Sequence, residues 1–199
     1  MKQNIAIIVG LALIIGLVTF YYQQRPPAQS DAGADDKGAV QWQTEGQLTP
    51  DAPLQFLDGS RTNLRAYAGK PMLIHFWATW CKPCLAEWPL LLELAESRPE
   101  LQIIAISLDQ GEAEVQSYQH HAVKRAGLKA LPDNFRIALD PDQVLAGEIF
   151  QTVQVPETIL VNTHLRMVDK VIGAKEDWLS AEMSKTLDGL NAPVSGAEQ

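Results

Sequence analysis

The chain alternates between apolar runs and polar breaks, and the runs differ in length and period. Residues 5–22, IAIIVGLALIIGLVTFYY, form one uncharged stretch. As a helix it would reach about 27 Å at ~1.5 Å per residue, enough to cross a hydrocarbon core. Tyr21 and Tyr22 close it, where amphipathic rings favour the headgroup level. From 23 to 46 the pattern dissolves: Pro26, Pro27, Ser30, Gly33 and Gly38 break regular structure, and Asp31, Asp35 and Asp36 keep it solvated. Beyond it, Pro53 to Leu57 has short strand character and Asp58-Gly59 marks a turn. MLIHFW (72–77) and LQIIAISL (101–108) are compact apolar runs that suit buried strands. Between them Leu85, Trp88, Leu91, Leu92 and Ala95 recur at helical spacing, with Pro89 expected to kink the helix. A helix is expected from Glu112 to about Gly127. Strands are expected over Gln154–Val161 and Arg166–Ile172, with a turn near Asn162-Thr163-His164, and an amphipathic helix over Trp178–Leu190. The order β-β-α-β-α-β-β-α predicts an α/β sandwich with a mixed central sheet.

These patterns divide the chain into a short cytoplasmic N-terminus (1–4), a transmembrane signal anchor (5–22), a flexible tether (23–46), a folded domain (47–190) and a small polar tail (191–199). A cleaved signal peptide would have a shorter apolar region with small residues soon after it; here Ala32-Gly33-Ala34 lies far downstream. Lys2 and the amino terminus favour the cytoplasmic side, with Arg25 weakly opposed. The expected location is therefore a single-pass inner (cytoplasmic) membrane protein with its folded domain in the periplasm or otherwise outside the cytoplasm. Hydrophobic residues make up 46% and charged residues 20%, enough for a sizeable core. The net charge of −8 offers no counterion release from a phosphate backbone and argues against a nucleic-acid partner.

The sequence holds 2 cysteines, Cys81 and Cys84. So close a pair clips no distant segments together, and no second Cys pair completes a four-ligand zinc site. A redox pair, half of a metal site and chance remain. The position of the pair is more informative than its spacing. A buried strand runs straight into Ala78-Thr79-Trp80-Cys81, and a helix starts there. Unpaired N–H groups and the macrodipole at a helix N-terminus favour an anion, and the thiolate is the nucleophile of disulfide exchange. Cys81 is thus expected to attack and Cys84, one turn further in, to resolve. Lys82 adds positive charge beside the thiols. Trp80 is expected as an apolar lip, and Trp77 as core.

The segment Phe76-Trp77-Ala78-Thr79-Trp80-Cys81-Lys82-Pro83-Cys84 resembles the active site of the thioredoxin superfamily. With Glu87 and Pro89 following, it resembles more closely the membrane-anchored TlpA/ResA/CcmG branch. Val155-Pro156-Glu157-Thr158 resembles that family's cis-proline loop. The resemblance spans about Leu48 to Leu190. It implies a thioredoxin-like three-layer α/β/α sandwich and a protein thiol–disulfide oxidoreductase. Such an enzyme would need no bound cofactor or metal and would reduce disulfides of extracytoplasmic proteins, apocytochrome c included, with a membrane thiol donor restoring the dithiol. It also implies that Pro156 is cis and faces the cysteines, that Val155 offers free backbone to an extended substrate, and that Glu87 tunes thiol protonation. Glu157 would meet a polar group of the partner, and Pro83 matches the thioredoxin dipeptide. The alternative is a thioredoxin-like copper chaperone using the Cys pair and a distal His, but those proteins carry C-x-x-x-C. A peroxidase of the superfamily would need Thr and Pro at a spacing that Thr79 does not meet. Of the histidines, His75 is expected in the core. His120, His121 and His164 have no assigned role, and His120 to Asn134 matches no part of the family pattern.

Overall fold

The computed structural model describes residues 46–191. The anchor, nearly all of the tether and nearly all of the tail expected from the sequence lie outside these residues. Among the described residues no helix is long and apolar enough to cross a membrane.

The elements in chain order are β1 (Pro53–Gln55), β2 (Arg61–Asn63), β3 (Met72–Trp77), α1 (Lys82–Ser97), β4 (Gln102–Ser107), α2 (Glu112–Arg125), β5 (Phe135–Leu139), β6 (Glu157–Val161), β7 (Met167–Ile172) and α3 (Ala181–Gly189). A 3₁₀ turn spans Leu64–Tyr67, and a π-helical turn spans Val144–Ile149. The main sheet has five strands in the order β5-β4-β3-β6-β7. The β3–β4 and β4–β5 pairs are parallel, and β3–β6 and β6–β7 are antiparallel, so the sheet is mixed as expected. The strands β3 and β4 are buried along their whole length, which explains why they read as continuous apolar runs without alternation. β1 and β2 form a separate hairpin around Gly59, whose φ of 80° suits a residue without Cβ.

Successive side chains of β3 point to opposite faces. Trp77 meets Trp88 of α1 and Tyr118 of α2, with ring centroids 4.5 and 5.4 Å away. Phe76 meets Phe150, just past the π-helical turn, at 5.4 Å. So α1 and α2 cover one face, while the short turn and the segment after it cover part of the other. α3 lies against α1: Arg98, at the end of α1, donates to Asp188 Oδ1 at 2.7 Å and to Ser184 O at 3.3 Å.

Two strands have no counterpart in the sequence reading. β2 (Arg-Thr-Asn) is too short and polar to show a period; it forms because it pairs with β1. β5 (Phe-Arg-Ile-Ala-Leu) is a sheet-edge strand, and pairing with β4 places it. The stretch that matched nothing, His120 to Asn134, is the end of α2 and the loop into β5. Asn134 has a defined task there. Its side-chain amide donates to the carbonyls of Ala95, Arg98 and Leu101, closing the C-terminal end of α1.

α1 continues through Pro89 without a break. Proline cannot donate to the carbonyl four residues earlier, that of Leu85. The Tyr118 hydroxyl, from α2, donates to that carbonyl at 3.3 Å. A side chain on the neighbouring helix thus replaces the missing backbone bond.

Candidate active site

Cys81 is the N-cap of α1, and Pro83 lies in the first turn, where a missing N–H costs no helical bond. The backbone N–H of Cys84 donates to Cys81 Sγ at 3.3 Å. The sulfur therefore sits on the donor end of the helix, where a thiolate is stabilised once the pair is reduced. The two cysteines are joined by a disulfide with a Cα–Cα distance of 5.3 Å. Cys81 is 6% exposed and Cys84 fully buried, so an incoming partner meets Cys81 first. Lys82 and Pro83 are exposed, and Trp80 is 65% exposed, a large apolar ring held in solvent beside the pair. Trp77 is core.

The loop before Cys81 is fastened from the end of β4. Asp109 accepts from the Thr79 backbone N–H at 2.9 Å, from the Thr79 hydroxyl at 2.5 Å and from the Ser107 hydroxyl at 2.7 Å. Nothing along the chain announces Asp109: its partner lies 30 residues away, and no motif marks the pairing.

Glu87 is 2% exposed. Oε1 accepts from the indole N–H of Trp178 and from the Lys175 backbone N–H at 3.3 Å. Oε2 is buried with no hydrogen-bond partner. Burial holds the Glu87 carboxyl above the usual carboxylate range, against the opposing pull of the Trp178 and Lys175 bonds. Glu87 lies one turn beyond Cys84 on α1, where residues three apart share a face.

Val155–Pro156 is a cis peptide bond. Phe76 pairs with Glu157, so Pro156 lies at the end of the sheet where β3 turns into the Cys81 loop. Val155 is half-buried and Pro156 buried. On the far side the Gly173 N–H donates to Pro156 O at 2.8 Å.

Glu157 corrects the expectation of a partner contact. Its side chain is 0% exposed and forms an ion pair with Lys170 Nζ at 2.9 Å. It also accepts from the Thr152 hydroxyl at 2.8 Å. The strand-start position reads as exposed in sequence. It is buried because residues 150–153 fold over it.

His75 is fully buried, with Nδ1 2.9 Å from the Thr158 hydroxyl and Nε2 without a partner. Burial lowers its pKa to about 3, so the ring is neutral at ordinary pH. His120 and His121 are exposed on α2, and His164 lies in the β6–β7 turn. Among the described residues no three His, Cys, Asp or Glu side chains converge as a metal cluster.

The site thus joins a sulfur at a helix N-terminus to a second, buried sulfur, with a buried carboxyl of raised pKa one turn further on and a cis-proline loop at the same end of the sheet, an arrangement suited to dithiol–disulfide exchange. Comparisons with known proteins agree with that chemistry. The AhpC/TSA family matches residues 46–169, more than half of the chain. The thiol-disulfide oxidoreductase ResA of a Bacillus cereus strain is 31% identical over 130 residues, covering 64% of this chain and 69% of the relative. Among solved structures, MTB dsbF is 27% identical with a TM-score of 0.56, over 73% of this chain and 97% of that one. The thioredoxin domain of a thiol-disulfide oxidoreductase from Bacteroides vulgatus is 24% identical with a TM-score of 0.58, over 72% and 97%, and shows the shared fold. The chain belongs to the AhpC/TSA family and is a thiol–disulfide oxidoreductase of thioredoxin-like fold.

Proposed function

We propose that this enzyme works in the reducing direction on disulfide-bearing proteins outside the cytoplasm, held at a membrane by residues 5–22. The observation that carries the exchange chemistry is the asymmetry of the sulfurs, and the family resemblance supplies the reducing direction. Cys81 is reachable and lies on the helix N-terminus, whereas Cys84 is buried one turn before a carboxyl with a bare oxygen. In the reduced enzyme the Cys81 thiolate attacks a partner disulfide, forming a mixed disulfide and expelling one partner thiolate. Cys84 then loses its proton, for which the free Oε2 of Glu87 is an acceptor. Its sulfur attacks Cys81 Sγ, forming the Cys81–Cys84 disulfide and releasing the second partner sulfur. Two electrons pass to the partner, and a membrane thiol donor returns them. Val155 supplies backbone for an extended partner segment, and Trp80 an apolar contact. The family resemblance makes apocytochrome c the candidate partner.

The test is insulin reduction driven by dithiothreitol. Cys81→Ser is expected to abolish the enzyme's contribution, and retained activity would sink the assignment. Cys84→Ser is expected to accumulate mixed disulfides on Cys81, visible on non-reducing gels. Direction is read from the reduction potential against glutathione. A value near or below about −270 mV supports a reductant, and one near about −120 mV an oxidant.

A further inference from the structure

Lys170 and Glu157 form a buried ion pair that the exchange chemistry does not use. Lys170 lies opposite Ile159, and Glu157 opposite Ile172, so the two are diagonal neighbours across β6 and β7. Diagonal positions lie within reach of long side chains. Their side chains are 4% and 0% exposed. Burying two opposite charges is tolerated only when further hydrogen bonds satisfy the remaining donors and acceptors. Here four such bonds reach one segment. Lys170 Nζ donates to the carbonyls of Phe150 and Gln151 at 3.2 and 3.4 Å. Glu157 accepts from the Thr152 hydroxyl at 2.8 Å and the Val153 N–H at 3.4 Å. Four consecutive residues are thus tied to the pair, one after another. Gln151, the second of the two whose carbonyls Lys170 holds, takes a left-handed φ of 52°. Phe150 is anchored further by its ring on Phe76, and Thr152 by its N–H on Ala146 O at 2.7 Å.

The tied segment leads in two residues to Val155. Val153 and Gln154, just before it, are exposed. A partner strand docks best on backbone that is already held, since ordering it on binding costs affinity.

We propose that Lys170 is a positioning residue for partner recognition: through its buried pair with Glu157 it fixes residues 150–153 and so presents the Gln154–Val155 backbone to a protein substrate beside Cys81. It contributes to binding an extended polypeptide and leaves the exchange chemistry of the sulfurs unchanged. This rests on the reading that the enzyme acts on protein disulfides.

The experiment compares two substrates on the full-length protein. With insulin, Lys170→Met is expected to lower kcat/KM at least about tenfold, mostly through a higher KM. With glutathione disulfide, too small to use the presented backbone, the second-order rate of the reduced enzyme is expected to change less than about twofold. The double variant Glu157→Gln/Lys170→Met removes both charges and leaves no uncompensated ion in the interior, so it tests the same split if Lys170→Met alone fails to fold. In either variant, amide hydrogen exchange of peptides covering 150–155 is expected to quicken relative to β3 and β4. Parallel loss with both substrates, insulin kinetics like wild type, or unchanged exchange at 150–155 would overturn the inference. A wild-type enzyme that exchanges with glutathione disulfide but is inert toward insulin would overturn the protein-substrate reading and this inference with it. Normal wild-type insulin reduction with unaffected variants would overturn the inference alone.

Discussion

Two buried titrating side chains set opposite pH dependences on this fold. Burial raises the Glu87 pKa, so the unfolded chain gives up that proton before the folded one does. The stability linked to Glu87 is full below the ordinary carboxylate pKa and is lost as pH rises through the folded value. Burial lowers the His75 pKa from 6.5 to about 3, so the unfolded chain takes up that proton first. The stability linked to His75 is full above pH 6.5 and is lost as pH falls toward about 3. Glu87→Gln keeps an acceptor for Trp178 and removes the charge. Its unfolding midpoint in urea is expected to match wild type in acid and to exceed it increasingly as pH rises past the carboxylate range. The same variant is expected to slow disulfide exchange by about a hundredfold, the usual scale for losing a positioned proton carrier. His75→Gln is expected to flatten the stability profile between about pH 3 and 6.5, which denaturant unfolding over that range would check. The cysteines, Glu87 and Pro156 were legible in the sequence because each stands in a local pattern. Trp178, Lys175 and Asp109 were not, because each acts on a residue 30 to 91 positions away and only the packed structure joins them. Glu157 misled for a related reason, since its burial depends on a segment that carries no pattern of its own.

At the scale of elements, the bond from Tyr118 to Leu85 explains how α1 carries the cysteines at one end and a proline near its middle. Tyr118→Phe removes the donor and leaves the Leu85 carbonyl unpaired, and is expected to cost about 1 kcal/mol of unfolding free energy. Pro89→Ala restores a backbone donor for the same carbonyl. The Tyr118→Phe cost is therefore expected to shrink in the Pro89→Ala background, and a double-mutant cycle measures that coupling. The kink expected at Pro89 followed from local sequence; the bond supplied there by another helix did not. The same division holds for the strands. β3 and β4 were legible because both their faces are buried and their sequences are largely apolar. β5 carries Arg136, whose guanidinium stacks 3.6 Å over the Phe56 ring and pairs with Asp58. A cation that finds its partners on the β1–β2 hairpin breaks the apolar run that would have announced a strand. The π-helical turn has no 3.6-residue period to detect, and its start is fixed by Asp140 accepting from the Leu145 and Ala146 N–H groups.

At the scale of the molecule, the chemistry gathers at one end of the sheet. The end of β3 delivers Cys81, the start of β6 delivers Pro156, and the segment after β7 delivers Lys175 and Trp178 to Glu87. Parallel β3–β4 and antiparallel β3–β6 pairing make this possible, because β6 starts where β3 finishes. Among the described residues, those that hold the sulfurs and Glu87 all fall within 78–178, apart in sequence from residues 5–22. That separation gives a prediction about location. The full chain is expected to sediment with membranes and to stay there through a high-salt wash. A net charge of −8 gives no electrostatic attraction to an acidic lipid surface, so retention in salt reads insertion of an apolar segment. A chain starting at Gln23 is expected to appear in the soluble fraction and to reduce insulin at the full-length rate. Salt-released full-length protein would remove the anchor. A soluble but slow Gln23 form would instead mean that residues 1–22 contribute to catalysis.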